Sequence, residues 1–159
     1  MEAKLHEQFM RMAIKLSEQN VKRSAGGPFG AVIVKNGEII AKSANKVIAK
    51  NDPTAHAEVS AIRLACRKPG TYNLQGCVIY TSCEPCPMCL GAVYWAHLDA
   101  VYFGNTRKDA AAIGFDDNFI YKELDLPLEQ RALQISRLLP DEALNAFKLW
   151  EISNPKTAY

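Results

Sequence analysis

The strongest constraint on this chain's fold is a set of metal donors split across its length. His56-Ala57-Glu58 stands 30 residues ahead of the matching position in Pro85-Cys86-Pro87-Met88-Cys89. An imidazole and two thiolates are ligands that zinc prefers. Three protein ligands leave one of zinc's four tetrahedral positions for water, as in a catalytic centre rather than a closed structural one. Glu58 lies two residues past the histidine, where a carboxylate can act beside the metal without ligating it. For the three donors to meet, the chain must fold its two halves onto one another.

The surrounding pattern supplies a way to do so. Leu5, Phe9, Met12, Ala13 and Leu16 recur at helical spacing, which predicts an amphipathic helix from about Leu5 to Gln19. Ser24-Ala25-Gly26-Gly27-Pro28 is a turn cluster. Phe29 to Val34 and Ile39 to Ser43 read as strands joined by a hairpin turn carrying Asn36-Gly37. Asn51-Asp52-Pro53 predicts a helix start, with Asp52 as cap and Pro53 in the first turn, running to about Cys66. Cys77 to Tyr80 is a third strand, Pro85 opens a helix to about Ala96, and Ala100 to Phe103 is a fourth strand. Residues 105–131 are polar and irregular, with room for short helical pieces. Leu133 to Leu138 is expected as a fifth strand, and Pro140 opens a last helix to about Trp150. A hairpin followed by alternating helices and strands predicts one α/β domain over residues 1–159: a three-layer α/β/α sandwich with a five-stranded mixed sheet.

Both halves of the donor set fall at predicted helix starts. Cys86 and Cys89 are three apart, so one turn presents both sulfurs to the same side. A helix N-terminus carries partial positive charge and favours thiolate. Two thiolates cancel the zinc charge, so water there is acidified less than on a three-histidine site, where its pKa falls to about 7. A nearby base is therefore needed, and Glu58 fits the role of proton shuttle.

Simpler readings exist for each residue. A Cys-x-x-Cys alone serves redox or structural purposes. Cys83 extends it to C-x-x-C-x-x-C, which with His56 would make a closed zinc site; an iron–sulfur site wants a fourth nearby cysteine, and Cys66 and Cys77 are badly placed. At a predicted strand end, Cys83 reads as a buried small residue. Asn45 could simply form a turn, Phe29 and Trp95 could be core or interface residues, and Asp116 rivals Asp117. His6 and His97 read as structural or surface residues.

Bulk properties narrow the partners. The net charge of +2 gives no support for broad electrostatic binding to nucleic acid or membrane. The first 20 residues mix charges through their apolar positions, unlike a secretion signal, and no apolar run is long enough to span a bilayer. Five cysteines, an odd number with three clustered, suit a reducing cytoplasm better than a disulfide framework.

H-x-E followed by P-C-x-x-C is the signature of zinc-dependent base deaminases. The stretches GGPFGAVIV, NDPTAHAEVSAIR, YTSCEPCPMCLGAVYWA and GFDDNFIYKE resemble bacterial guanine deaminases of the small cytidine-deaminase-like fold, over nearly the whole chain. The resemblance implies one zinc per chain held by His56, Cys86 and Cys89, with Glu58 and Asp117 as catalytic acids. It implies purine contacts from Asn45, the Ala57 backbone, Asp117 and the terminal Tyr159, with Phe29 and Trp95 packing against the ring. It also implies a cytoplasmic homodimer that exchanges C-terminal segments, about residues 140–159. An ionised carboxylate is acceptor-only and suits guanine's edge, where a ring N–H stands beside the exocyclic amine. Rival readings are a guanosine deaminase, a tRNA adenosine deaminase and a non-catalytic zinc module.

Overall fold

A computed structural model describes residues 2–68 and 70–157. Two compact units divide the chain after Asp117.

The first unit holds the sheet. Helix α1 (Glu2–Lys22) leads into strands β1 (Gly30–Lys35) and β2 (Glu38–Ala44), then the short α2 (Val47–Lys50) and α3 (Ala57–Arg67). Strand β3 (Cys77–Cys83), α4 (Pro87–Trp95), β4 (Ala100–Asn105) and α5 (Arg107–Ala112) follow. The sheet order is β2-β1-β3-β4, with β1 antiparallel to both neighbours and β3 parallel to β4. The β1–β2 turn works as its sequence requires: Asn36 and Gly37 both have positive φ, 51° and 78°, which tight hairpin turns demand.

Strand β1 is central and apolar, so it is buried on both faces. Its alternate side chains enter two cores. Val32 and Val34 pack with Phe9 and Ala13 of α1 and Tyr80 of β3. Ala31 and Ile33 pack with Ala57, Ala61 and Ala65 of α3, Ile79 of β3 and Val93 of α4. Helix α1 thus covers one face, and α3 with α4 the other.

The antiparallel β1 brings Gly30 beside the C-terminal end of β3, where the Gly30 N–H donates to Ser82 Oγ at 3.0 Å. The same edge gathers the start of β1, the end of β2 and the ends of the parallel pair β3 and β4. Loops beyond the carboxyl ends of parallel strands are where α/β sheets place their ligand sites.

The second unit contains α6 (Asn118–Asp125), a 3₁₀ turn (Leu128–Gln130) and α7 (Pro140–Ile152). Within it Arg131 donates to the carbonyls of Leu126 and Leu124 at 3.0 and 3.2 Å. No helix among the described residues is long and apolar enough to cross a membrane.

Two expectations are corrected. Leu133 to Leu138 forms no ladder, and the sheet has four strands among the described residues. The apolar run lacks a neighbour to accept its backbone hydrogen bonds, and Leu133 and Leu138 stand 71% and 83% exposed. Asp52 does not cap a helix. Its Oδ1 accepts from the N–H and hydroxyl of Thr54 at 2.8 and 2.7 Å, so it closes a local turn. Helix α3 starts four residues past Pro53, and His56 is its N-cap.

Candidate metal centre and active site

Two helix starts build the donor group. His56 caps α3 in an extended conformation (φ −60°, ψ 159°), which turns its ring off the helix axis. Cys86 caps α4 with φ −67° and ψ 168°, followed by Pro87 in the first turn, where its missing N–H is harmless. The Cys86 sulfur accepts from the Cys89 N–H at 3.5 Å, which folds both sulfurs to one side.

His56 Nδ1 lies 3.5 Å from Cys86 Sγ and 3.4 Å from Cys89 Sγ. All three donor atoms lie within 4.8 Å of one another. Zinc bonds of about 2.3 Å to sulfur and about 2.0–2.1 Å to nitrogen, at a tetrahedral angle, put such atoms roughly 3.6 Å apart. The donor set therefore fits one zinc ion, with Nδ1 as the imidazole ligand. The Cys86 thiol is held far below the ordinary thiol range, by its hydrogen bond with Cys89 first and by His56 as well, against the opposing effect of burial.

Glu58 is only 6% exposed, in the first turn of α3. Burial raises its pKa, and the Cys86 thiolate adds to the rise, while its own backbone N–H and a hydrogen bond with Cys89 oppose it. A carboxyl group buried in this way beside a metal donor group is a candidate to take and to give a proton.

Cys83 stays outside the donor group. It is buried, its thiol donates to the Thr106 carbonyl at 3.7 Å, and burial pushes its pKa up to about 11. Among the described residues, the donor group therefore comprises His56, Cys86 and Cys89 without Cys83.

The remaining candidates divide. Asn45 is buried at the end of β2, and its Oδ1 accepts from the Val47 N–H at 3.2 Å. Ala57 is the first residue of α3, so its N–H belongs to the first turn, which has no intrahelical acceptor. Phe29 meets Phe115 edge-on, ring centres 4.9 Å apart. That contact carries the Gly114–Asp117 loop toward the start of β1. Asp117 is half-buried; burial raises its pKa and the Cys86 thiolate adds to this, while the Arg107 guanidinium opposes it. Trp95 closes α4 at the end remote from the cysteines and is 67% exposed. Tyr159 lies outside the described residues.

Two residues and one helix escaped sequence reasoning. Glu84 accepts from the Arg107 N–H at 3.0 Å and, through its own N–H, donates to Asn105 O at 2.8 Å. It thereby fastens the cysteine loop to the start of α5, from which Arg107 acts on Asp117. Phe115 lies inside the quoted GFDD stretch without having been singled out. Helix α5 itself was readable from Thr106-Arg107-Lys108-Asp109: Thr106 and Asp109 form a reciprocal capping box.

The sequence pattern of the cytidine and deoxycytidylate deaminase zinc-binding region matches residues 3–105. The chain belongs to the cytidine and deoxycytidylate deaminase family. Within this family it is 52% identical over 154 residues to the guanine deaminase of Bacillus subtilis (strain 168), covering 97% of this chain and 99% of that one. It is 42% identical over 102 residues to a tRNA-specific adenosine deaminase of Aquifex aeolicus, covering 64% and 67% of the two chains. A crystal structure of guanine deaminase from Bacillus subtilis superposes with a TM-score of 0.94, at 52% identity, over 97% of this chain and 98% of that one. The deaminase fold and its zinc region thus account for the first unit, and the full-length likeness extends through the second.

Proposed function

We propose that this chain is a guanine deaminase that converts guanine and water to xanthine and ammonia. The observation that carries the reading is the buried Glu58 carboxyl beside the His56–Cys86–Cys89 group. The full-length likeness to a guanine deaminase then selects the base.

Zinc, when held by His56, Cys86 and Cys89, supplies a Lewis acid that makes water nucleophilic near neutral pH. Glu58 takes one proton from the attacking water and passes it to a purine ring nitrogen; it then takes the second proton from the hydroxyl added to the ring carbon and gives it to the amine, which leaves as ammonia while the C–O bond becomes a carbonyl. One residue serves as base and then as acid, which its raised pKa favours. Asp117 accepts from the ring N–H and exocyclic amine and supports the proton movement. Asn45 and the Ala57 N–H bind the opposite side, and Phe29 packs against the ring. The resemblance to guanine deaminases adds Trp95 and the carboxylate of Tyr159 as further purine contacts.

We further read the working form as a cytoplasmic homodimer with exchanged C-terminal segments and a closed three-layer sheet sandwich. The apolar helix α4, which leaves Tyr94 and Trp95 73% and 67% exposed, and the exposed Phe147 and Ile152 of α7 support an assembly that covers them.

Ammonia release from guanine, guanosine, adenine, cytosine and cytidine, supplied separately to zinc-loaded protein, tests the reading. Turnover of guanine that is lost in Glu58→Ala supports it. A preference for guanosine keeps the mechanism and removes the tail as a closing element. No release from any of them, with zinc bound, overturns it.

A further inference from the structure

A buried amide outside the reaction centre is tied to both sides of the pocket. Asn20 lies in the last turns of α1 and is 8% exposed. Its Nδ2 donates to the Gly27 carbonyl at 2.8 Å and to the Asn45 carbonyl at 3.0 Å. These acceptors belong to segments 18 residues apart in the chain. Asparagine has poor helix propensity, because its side chain competes for backbone groups. Here that competition is used between segments: both N–H bonds of one amide are spent on backbone where the β1–β2 ladder ends.

The two carbonyls frame the proposed purine contacts. Gly27 precedes Phe29 by two residues, and the Phe29 N–H turns back to the Gly27 carbonyl at 2.8 Å. The Asn45 N–H donates to the Phe29 carbonyl at 3.0 Å. Asn45 is therefore fixed at its N–H, at its carbonyl by Asn20, and at Oδ1 by the Val47 N–H. Those bonds leave Nδ2 as the end of the side chain that can face a ligand, so Asn45 enters the pocket as a donor. Gly26 shows how little slack remains. With φ +154°, a Cβ there would lie 3.1 Å from both the carbonyl and Oδ1 of Asn45, and 3.2 Å from Asn20 Nδ2.

We propose that Asn20 is a positioning residue for the base pocket: its single amide holds the Gly27 and Asn45 backbones together and so sets the spacing between Phe29 and the Asn45 amide. This rests on the reading of Asn45 and Phe29 as purine contacts. Asn20 touches no substrate, and it sits far along the sequence from every residue of the zinc signature.

Asn20→Asp keeps the shape but turns two donors into acceptors facing two carbonyls. Asn20→Leu keeps the volume and removes the polarity. For both, KM for guanine should rise about tenfold, the scale of one lost net hydrogen bond, with kcat within about threefold and zinc still one per chain. Amide hydrogen exchange, measured without substrate, should quicken in peptides covering 25–30 and 44–47 and stay unchanged around Ile33 and Ile79. A lowered melting temperature with unaltered KM, or a fall in kcat at constant KM, overturns the proposal. So does unaltered exchange in those two peptides. If the unmodified protein does not act on guanine, the substrate reading fails on its own, and the exchange result still decides the role of Asn20. Should the Asn20 variants not fold, Gly26→Ala pushes on the same contact from the loop; it must raise KM likewise, and an ordinary KM there overturns the proposal.

Discussion

Burial is the main cause that raises the pKa of both Glu58 and Asp117 from their ordinary values. Their consequences differ. Glu58 moves protons, so Glu58→Gln should lower turnover by about 10²–10⁴-fold while zinc content per chain stays constant by metal analysis. Asp117 must be ionised to accept from guanine. A raised pKa keeps it protonated to a higher pH than an exposed aspartate, which titrates near about 3.9. The acid limb of kcat/KM for guanine should therefore lie above that pH. Arg107 opposes the rise, so Arg107→Gln should move the limb to still higher pH; a limb that stays put would separate Arg107 from Asp117. Cys83 gives a third test. Its sulfur is turned to the Thr106 carbonyl, so Cys83→Ser should retain the full zinc complement, and zinc loss would restore the closed-site reading.

At the scale of elements, α3 and α4 meet at their N-termini through three side chains. Chelating the zinc should lower the melting temperature and quicken amide exchange in residues 84–90, with the β1–β3 ladder still protected, because binding energy at such a site is folding energy. On the other face, Gly30 is wedged under α1: a Cβ would press on the Ala13 carbonyl oxygen and come within 2.8 Å of Leu16 Cβ. Gly30→Ala should cost about 1–3 kcal/mol in a thermal or urea melt, since helix backbone has nowhere to yield. Much of this layer was readable from residue pattern. The helical stripe through Phe9 and Ala13 and the Asn36-Gly37 turn are local signals with local causes; the cysteine helix was expected from Pro85 and begins two residues later, at Pro87. The site's donors were readable because zinc dictates their types and spacing. What escaped depends on long-range placement. Asp52 had the chemistry of a cap, but its carboxylate is taken up by the N–H and hydroxyl of Thr54, and the helix starts only at Ala57. Leu133 to Leu138 had the composition of a strand, but a strand also needs a partner that the sequence pattern does not specify. Glu84 and Asn20 act on segments whose proximity arises only after the sheet has formed.

At the scale of the whole molecule, large apolar side chains remain uncovered: Leu138 and Ile152 are 83% and 81% exposed, alongside Phe147 and Trp150 at 72% and 50%. Such exposure exceeds scattered single residues on a monomer. Sedimentation equilibrium at micromolar concentration should give twice the chain mass of 17.6 kDa, and a monomer mass would refute the exchanged-tail dimer. The small net charge of +2 suits a small neutral base more than a polyanion. The division of β1 between two cores has a further meaning for how this protein can change. Val32 and Val34 face a layer formed with Phe9, Ala13 and Tyr80, remote from the zinc donors, whereas Ala31 and Ile33 back the helix that carries His56 and Glu58. Lineages, or a laboratory selection, can therefore adjust heat tolerance in the layer around Phe9, Ala13, Val32 and Val34, short of the Asn20 end of α1, with little penalty in chemistry, while the α3 side must hold its small alanines to keep the catalyst aligned.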